Sequence, residues 1–450
     1  MRILTLTAAL SIAAAASAGA PAASLTTIYT FTGGADGNHP GAALVPDRRG
    51  GFFGTTEGGG ASGNGTVFHL RPAAEDGTRY TLESIYSFAA GTDGAVPTNL
   101  VRDDAGNLYG VSNRGGGGTA DACVRNDVAV GCGVVYQLQP PAADGDVWHE
   151  TVLHAFSGNA DGYAPSGLAI FEGKLYGFSW GGNGSCGGGC GTVYELTPPG
   201  PGEHKWAYKR LHTFSGTYAA HGPFGNPLVD ADGALYGIAY SGGKTAPAGC
   251  APFVGCGEVF KLTPPQSEAQ AWGKSTLWNF NGLDGTGGFN SLSMDAEGNL
   301  YGMTNEGGNS SDDCPAPAGS PAGCGVAFEL ERPAFGTDKW TQRILWNFTG
   351  GADGGYPANS ALAMQRHGNL LATTSGTVEE GPGLYGAVVQ LVRPEGSRTA
   401  WKQRTLHTFT NGDDGAVPVG TVVEQEGQWY GTTFGWSGVA EAGTIYRIAP

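Results

Sequence analysis

The sequence has few basic residues. It contains 24 lysines and arginines against 40 aspartates and glutamates, which leaves a net charge of −16. Nucleic-acid binding needs a basic face for the phosphates, so the charge balance argues against a nucleic-acid partner. Charged residues make up only 14% of the chain, whereas hydrophobic residues reach 40% and aromatic residues 10%. A disordered chain is much poorer in apolar residues, so the composition predicts a folded protein.

Long apolar runs are missing after the first residues. A membrane span needs about 20 apolar residues, and no segment beyond residue 16 is long enough, so we expect no span in the mature chain. The N-terminus has Arg2, an apolar run over residues 3–16 and the small residues Ala16, Ser17 and Ala18. This pattern predicts a secretory signal peptide over residues 1–18. We therefore expect a secreted or periplasmic protein, with residues 19–450 forming one domain.

Motifs for metals and cofactors are also lacking. The chain has no H-E-x-x-H segment, the motif that binds zinc in many metalloproteases. Matches to glycine-rich phosphate loops carry no weight, because 80 of the 450 residues are glycine, more than double the usual share of about 7%. We therefore predict no cofactor and no metal site. The glycines follow no Gly-X-Y period, which excludes a collagen-like chain.

Eight cysteines fall into four local pairs: Cys123/Cys132, Cys186/Cys190, Cys250/Cys256 and Cys314/Cys324. An even number of cysteines in an exported chain favours disulfides. Each pair lies in its own glycine-rich loop, and its second cysteine directly precedes a glycine that opens an apolar run. A zinc site is the alternative, but the spacing varies and no histidine accompanies any pair. We predict one disulfide within each pair.

An internal repeat is the strongest signal in the chain. Seven units share the elements L-x-x-F-x-G, D-G, G-x-L-Y-G and G-T-V-F/Y-x-L-x-P. Their phenylalanine anchors are Phe31, Phe88, Phe156, Phe214, Phe280, Phe348 and Phe409. Six anchors have an aromatic residue eight positions earlier, and only Phe31 lacks one. The sixth unit replaces the L-Y-G element by Leu371-Ala372.

Each unit contains four short strand-like runs separated by turn signals, which predicts an all-β, seven-bladed β-propeller with four antiparallel strands per blade. The chain starts on a fourth strand, near residues 26–31, and ends on a third strand, near residues 443–448. We therefore expect the N-terminal strand to join the C-terminal blade and close the ring, which removes exposed sheet edges. An open solenoid is the alternative, but it would need caps that the sequence lacks.

The repeated motifs resemble a known family. L-Y-G-x-T-x-x-G-G followed by G-T-V-F-x-L-x-P, alternating with L-x-x-F-x-G-x-x-D-G-x-x-P, is similar to the GloVer (Gloeo/Verruco) tandem repeat of the choice-of-anchor tandem repeat GloVer-containing bacterial proteins. The resemblance covers nearly the whole mature chain and recurs in all seven units. It implies export but neither an activity nor catalytic residues. Many members have a C-terminal surface anchor, and none follows Pro450 here, so free secretion or periplasmic residence is favoured.

The Asp-Gly loops and the cysteine loops should gather on one face, around the mouth of the central channel. The repeated aspartates are Asp36, Asp93, Asp161, Asp284, Asp353 and Asp414. We interpret them as turn residues whose carboxylates bind their own backbone. The alternative is a ring of carboxylates that holds a cation. Four disulfides on this face could stiffen a binding surface or protect long loops outside the cell.

Positions that differ between units are better candidates for function than positions that recur. The residues after L-Y-G vary and should rim the channel mouth: Glu57, Asn113, Arg114, Trp180, Tyr240, Asn305, Glu306, Phe434 and Trp436. Exposed aromatics mixed with amides, carboxylates and arginine are typical of a sugar-binding surface, and loop-supporting aromatics are the alternative. From these positions we predict binding roles for Arg114, Trp180, Tyr240, Asn305, Glu306 and Trp436. We add Arg125, since the second unit is locally basic.

One histidine also departs from the repeat. His221-Gly222 stands in the fourth unit where the count of residues back from Leu228 expects Asp-Gly, with Tyr218 close by. A histidine titrates near neutral pH and can act as a general acid or base, so His221 and Tyr218 are catalytic candidates. The alternative is drift at a turn position.

Two functions are compatible with these features. The first is an exported, monomeric propeller that binds a polysaccharide or a cell-surface protein through its disulfide-stapled loop face. The second is a polysaccharide-active enzyme, a lyase or glycoside hydrolase, that uses His221 and Tyr218 while Arg114 or Arg125 holds a uronate. Propellers host such chemistry only by analogy of fold, and the charge of −16 opposes long-range capture of a polyanion. Binding is therefore the favoured hypothesis.

Overall fold

The apolar runs of the repeat form short antiparallel strands, which assemble into seven sheets of four or more strands. This confirms the predicted seven-bladed β-propeller. The structure, a computed structural model, describes residues 23–73, 79–118, 123–125, 128–143, 146–182, 190–215, 221–243, 250, 255–267, 269–309, 314, 323–357, 360–376, 385–396, 399–435 and 440–449. The predicted signal peptide lies outside the described residues. Within them, no helix is long and apolar enough to cross a membrane.

Strands are numbered in chain order, and each blade runs from an innermost first strand to an outermost fourth strand. The first strands of blades 1 to 7 are β2 (Asn38–Pro40) with β3 (Val45–Pro46), β7 (Ala95–Arg102), β13 (Tyr163–Phe171), β17 (His221–Val229), β21 (Ser293–Met294), β25 (Ala363–Met364) and β29 (Pro418–Gln425). The second strands are β4 (Phe52–Gly58), β8 (Leu108–Arg114), β14 (Lys174–Gly181), β18 (Leu235–Ser241), β22 (Leu300–Met303), β26 (Leu370–Thr374) and β30 (Gln428–Thr433).

The outer half of each blade is equally regular. The third strands are β5 (Thr66–Pro72), β11 (Val134–Gln139), β15 (Thr192–Thr197), β19 (Glu258–Thr263), β23 (Val326–Glu331), β27 (Ala387–Val392) and β31 (Thr444–Ala449). The fourth strands are β6 (Tyr80–Ser87), β12 (His149–Ala155), β16 (Ala207–Thr213), β20 (Gly273–Asn279), β24 (Thr341–Asn347), β28 (Lys402–Thr408) and β1 (Ser24–Thr30). Two short strands, β9 (Val124–Arg125) and β10 (Val128–Ala129), pair in a loop of blade 2, and Arg366–Gly368 form a 3₁₀ turn in blade 6.

The ring closes through its two ends, as the sequence predicts. Strand β1 pairs antiparallel with β31, with Ser24 opposite Ala449 and Thr30 opposite Thr444. The last sheet therefore has the order β1-β31-β30-β29. Because one blade contains both ends of the chain, no blade is left with a missing outer strand.

The glycine of the L-Y-G element is required by its cross-strand neighbour. Gly177 lies opposite Tyr194, and a Cβ on Gly177 would stand 2.3 Å from the Tyr194 ring. The equivalent glycines of blades 1, 2, 4, 5 and 7 also face a fully buried aromatic ring on the third strand. In blade 6 both partners change together, and Ala372 lies opposite Val389. The sixth unit departs from the motif because its partner side chain is smaller.

The phenylalanine anchors join neighbouring blades. Each anchor follows an outermost strand, and six of the seven pack edge-to-face against the third-strand aromatic ring of the next blade. Phe348 is the exception, because blade 6 carries Val389 at that position. Phe88 of blade 1 lies 5.0 Å from Tyr136 of blade 2, and Phe156 of blade 2 lies 5.3 Å from Tyr194 of blade 3. Phe31 of blade 7 meets Phe68 of blade 1 at 5.4 Å, which repeats the contact across the closure. Such pairs add about 0.5–1.5 kcal/mol each beyond the area they bury.

Candidate functional site

Seven equivalent positions surround the channel on one face of the propeller. Each lies three residues after the glycine or alanine of the L-Y-G element, where the second strand of the blade ends. From blade 1 to blade 7 this mouth ring consists of Glu57, Asn113, Trp180, Tyr240, Asn305, Ser375 and Phe434. Six of the seven were predicted to rim the mouth. Their chemistry differs between blades, because the side chains beyond the last strand pair do not have to satisfy the sheet.

Blades 3, 4 and 5 supply an aromatic cluster to the mouth. The Trp180 ring lies 5.7 Å from Tyr240, 5.9 Å from Phe224 and 5.5 Å from Phe289. Tyr240 stacks on Phe289 at 4.8 Å. All four side chains remain partly exposed, Tyr240 at 37%. A cluster of rings from three blades that keeps an accessible surface can pack against the apolar face of a ligand.

Asn305 fixes one ring of this cluster. Its Oδ1 accepts hydrogen bonds from the Phe289 backbone N–H, at 3.1 Å, and from Asn290 Nδ2, at 3.0 Å. Glu306 acts on a second ring, because burial and then the Glu306 charge raise the pKa of the Tyr240 hydroxyl. Asn305 and Glu306 therefore belong to the mouth, as predicted, and both of them act on the aromatic cluster.

Phe224 enters the cluster through a β-bulge in blade 4. In blade 3, Pro165 lies opposite Ser179 and Ala169 opposite Tyr176, so three residues of the first strand separate the two pairs. In blade 4, Pro223 lies opposite Ala239 and Leu228 opposite Tyr236, which leaves four residues between them. Blade 4 therefore has one residue more than blade 3 on this strand, and bulges redirect side chains near functional sites.

The same bulge closes the floor of the mouth. Asn226 accepts a hydrogen bond from Asn99 Nδ2 of blade 2 at 2.7 Å, and its backbone N–H donates to Ser291 Oγ of blade 5 at 2.8 Å. Gly225 has a φ of 74°, and a Cβ there would stand 2.6 Å from Ser291 Oγ. Blade 4 therefore bridges the channel to blades 2 and 5.

A polar cavity of about 80 Å³ lies on this floor. Its walls include Glu57 and Asn113 of the mouth ring, together with Thr98 and Ser166 of the first strands. Asn113 Oδ1, Thr98 Oγ1 and Ser166 Oγ are buried and have no hydrogen-bond partner among the described residues. Unpaired buried oxygens are costly, so a cavity of this size is suited to several water molecules or one polar group of a ligand.

Glu57 is the titratable group of the cavity. Burial raises the pKa of its carboxyl to about 7, and the positive charge of Arg114 only partly opposes the shift. A carboxyl with this pKa exists in both protonation states near neutral pH and can donate or accept a proton. Arg114 ends β8, where its backbone pairs with Ala95.

The repeated aspartates behave as the turn interpretation predicts. Asp161 Oδ2 accepts a hydrogen bond from the Ser157 backbone N–H at 2.9 Å and contacts His154 Nε2 at 3.2 Å. Asp414 has the same partners in blade 7, the Thr410 N–H at 3.0 Å and His407 Nε2 at 2.9 Å. Their carboxylates are occupied within their own loops. Among the described residues, no cluster of three His, Cys, Asp or Glu side chains could hold a metal ion.

Three of the four predicted disulfides are described: Cys123–Cys132, Cys250–Cys256 and Cys314–Cys324, with Cα–Cα distances of 5.0, 5.4 and 5.3 Å. Cys190 is disulfide-bonded, and its predicted partner Cys186 lies outside the described residues. The second cysteine of a pair also contacts the next blade, since Cys132 O accepts from Ala164 N at 2.8 Å and Cys324 O from Tyr356 N at 2.9 Å. The disulfide-bonded cysteines therefore lie in blades 2 to 5, and three of these blades, 3 to 5, supply the aromatic cluster.

The strand register corrects the alignment of His221. It lies opposite Ser241, as Tyr163 lies opposite Gly181 in blade 3. Gly222 N donates to Cys190 O just as Ala164 N donates to Cys132 O. His221 is thus equivalent to Tyr163, two residues after the Asp-Gly aspartate, and does not replace that aspartate. The alignment matched Leu228 to Leu100 and was wrong by two positions. Leu228 lies opposite Tyr236 as Val101 lies opposite Tyr109, which accounts for one position, and the extra residue of the bulge accounts for the other.

The structure describes the remaining candidate residues only in part. Tyr218 and Trp436 lie outside the described residues, and only the backbone of His221 and of Arg125 is described, so their proposed roles stay predictions. Sequence reasoning missed Phe224, Phe289, Thr98 and Ser166, all on or beside the innermost strands. The longer spacing between Pro223 and Leu228 was a signal for Phe224. Nothing in the repeat distinguishes the other three.

Comparison with known families supports the repeat. The family model of the Gloeobacter/Verrucomicrobia repeat matches residues 117–313, which confirms the resemblance found in the sequence. No curated protein matches the chain.

Several solved structures are similar at low identity. The periplasmic gluconolactonase of Pseudomonas aeruginosa is 16% identical, with a TM-score of 0.44 over 82% of this chain and 88% of that chain. The PQQ domain of pyranose dehydrogenase from Coprinopsis cinerea is 11% identical, with a TM-score of 0.45 over 96% of both chains. A gluconolactonase from Xanthomonas campestris is 12% identical, with a TM-score of 0.38 over 95% of this chain and 89% of that chain. Similarities this weak carry no argument about the chemistry of the chain.

Proposed function

We propose that the chain, in which the Gloeobacter/Verrucomicrobia repeat model matches residues 117–313, is an exported propeller that binds a glycan at its mouth ring. The observation that carries the proposal is the aromatic cluster of Trp180, Phe224, Tyr240 and Phe289 beside a polar cavity with unpaired oxygens. A sugar has apolar C–H faces and many hydroxyl groups. The aromatic rings can pack against the apolar faces of the sugar, and the cavity can accept one hydroxyl-bearing group.

The test is a binding measurement. The oxidised protein is titrated calorimetrically with neutral and uronate oligosaccharides. We expect at least one saturable ligand, and we expect Trp180→Ala to weaken its binding at least about tenfold, or about 1.4 kcal/mol. Phe335→Ala is the matched control, because Phe335 is a fully exposed aromatic residue on the opposite face. No binding across the panel, or equal losses in the two variants, would exclude glycan recognition at the mouth and favour a cell-surface protein partner.

Glu57 supports a second candidate function, a lyase or glycoside hydrolase acting at the mouth. A buried carboxyl with a pKa near 7 can serve as a general acid or base. The test follows unsaturated uronate by absorbance and new reducing ends by colour assay. An enzyme of this kind predicts product formation that Glu57→Gln abolishes while binding is retained. His221→Ala tests the sequence-based assignment in parallel, and full activity of that variant would exclude His221.

Export is the third element of the proposal. Three described disulfides are typical of an oxidising compartment. We propose that residues 1–18 are removed and that residues 19–450 form one monomeric domain. N-terminal sequencing of protein recovered from the periplasm or the medium tests the cleavage, and a retained Met1 would contradict it.

A further inference from the structure

A second surface lies on the face opposite the mouth ring, where the turns between first and second strands meet the loops between third and fourth strands. A groove of about 460 Å³ runs there between blades 1 and 2. We call it the basic groove and define it by Arg49, His69 and Arg71 of blade 1 and by Arg102 and Trp148 of blade 2. In a chain of net charge −16, three arginines around one groove are a marked local excess.

The equivalent groove between blades 4 and 5 shows that the propeller does not need these arginines. The strand registers place Asp232 at the position of Arg49, Thr263 at that of Arg71 and Met294 at that of Arg102. Trp340 there corresponds to Trp148, so the tryptophan recurs while the arginines do not. The fold therefore does not require arginine at these three positions, although Lys261 and Arg332 line the groove between blades 4 and 5 at other positions, together with Asp230, Asp232 and Asp295.

Arg71 is held in position by a chain of hydrogen bonds. Its Nε donates to His69 Nδ1 at 2.9 Å, and His69 Nε2 lies 2.8 Å from Asp47 Oδ2. Because an arginine Nε can only donate, His69 Nδ1 must accept, and the imidazole carries its proton on Nε2 and donates it to Asp47. Arg71 Nη2 is also 3.1 Å from Glu83. These contacts use two of the five guanidinium N–H groups, so an oriented donor set remains.

The other two arginines lack a carboxylate partner. Neither Arg49 nor Arg102 forms an ion pair among the described residues. Arg102 Nε is buried without a hydrogen-bond partner, which leaves a charged donor unsatisfied. Trp148 is partly exposed beside them and packs edge-on against Phe53 at 5.6 Å. The groove thus combines unpaired planar cations with one aromatic ring.

We propose that the basic groove binds a carboxylate-bearing saccharide, a uronate oligomer, independently of the mouth ring. Guanidinium groups bind carboxylates through two parallel hydrogen bonds, and the Trp148 ring offers an apolar face for a pyranose ring. The net negative charge does not prevent this, because salt at about 0.15 M screens charges beyond about 8 Å. At the groove, the three arginines outnumber Asp47 of its wall and Glu83, which pairs with Arg71.

The test compares three probes at 0.15 M NaCl by calorimetry: an oligouronate, a neutral oligosaccharide of equal length and a glutamate peptide of equal charge. The double variant Arg49→Gln/Arg102→Gln removes two positive charges from the groove. The matched control Arg332→Gln/Arg393→Gln removes two exposed arginines from blades 5 and 6. We expect the groove variant to bind oligouronate at least about tenfold more weakly, because it loses charged hydrogen-bond donors to the carboxylates. We expect the control to bind within about twofold of the wild type.

Three results would overturn the proposal. Equal losses in the two double variants would show only non-specific charge attraction. Equal binding of the neutral oligosaccharide would remove the role of the carboxylate, and equal binding of the glutamate peptide would assign the groove to acidic peptides. The groove variant also separates this site from the mouth ring. The proposal requires that Arg49→Gln/Arg102→Gln keep the wild-type affinity for any neutral glycan that binds at the mouth, because neither arginine lines the cavity there.

Discussion

The Asp-Gly loops and the mouth ring lie on the same face of the propeller and follow opposite rules. In the Asp-Gly loops the same residue recurs in six units, and the structure shows it doing the same work, binding the loop backbone and a side chain of the outermost strand. In the mouth ring the residue type varies, from Glu57 to Trp180 to Ser375, and only asparagine occurs twice, in blades 2 and 5. Residues that recur between the units therefore maintain the fold, and residues that vary between the units form the candidate site.

The physical reason is the symmetry of the ring. Every blade must make the same turn and the same contact with its neighbour, so selection for folding acts equally on all units. A ligand smaller than the ring touches only some blades. The aromatic cluster is accordingly confined to blades 3 to 5, which are also blades with disulfide loops. Substitution of an aspartate in an Asp-Gly loop should therefore lower the stability of the fold. Substitution of a mouth-ring residue should instead lower the affinity for the ligand.

The largest effect is expected for Asp414→Ala. Its carboxylate accepts hydrogen bonds from the Thr410 N–H and lies 2.9 Å from His407 Nε2, and the substitution would leave these donors without partners. We expect a loss of about 2–3 kcal/mol of unfolding free energy, measured by urea denaturation. Asp413→Ala is the matched control, an exposed neighbour that should change stability by less than about 0.5 kcal/mol. Equal effects would contradict the structural role of the repeated aspartate.

The converse substitution is Tyr240→Ala in the mouth ring. Tyr240 is 37% exposed, so its removal should lower the unfolding free energy by less than about 1 kcal/mol. Glycan affinity should nevertheless fall about tenfold, because Phe289 and Trp180 lose the ring they pack against. Folded Asp414→Ala should bind like the wild type. If either variant lost both stability and glycan affinity, the residues that maintain the fold could not be distinguished from those that bind the ligand.

The smallest effect is the pH dependence contributed by Glu57. Burial raises the pKa of this carboxyl from 4.5 to about 7, so ionisation is less favourable in the folded than in the unfolded chain. The folded state should therefore lose stability as pH rises from about 4.5 to about 7, with no further loss above that. A pKa shift of this size corresponds to about 3 kcal/mol, and the partial exposure of Glu57 reduces that value through solvent screening. We therefore expect Glu57→Gln to be more stable than the wild type at pH 8 by about 1 kcal/mol and equally stable at pH 4.5. Exposed Glu297→Gln is the control, and an equal gain there would contradict the burial of Glu57.

Much of the fold could be predicted from the sequence, and the errors have identifiable causes. The seven anchors, the four strand-like runs per unit and the fourth strand at the N-terminus predicted the blades and their closure. Only the alignment of His221 was wrong, because a β-bulge changes the count of residues without changing the strands on either side. Phe289 was not found, since it precedes a strand of only two residues, β21, where alternation gives no signal.

The sequence by itself determined the blade architecture, the local disulfide pairing and the turn role of the repeated aspartates, because each depends on contacts within a unit or between identical neighbours. Only the tertiary structure decided which side chains share a site. Trp180, Phe224 and Phe289 come from three blades, Asn99 reaches Asn226 across the channel, and Arg49 and Arg102 meet from adjacent blades. A ring brings together residues that are distant in the chain, and no periodic pattern records which of the varying positions will face one another.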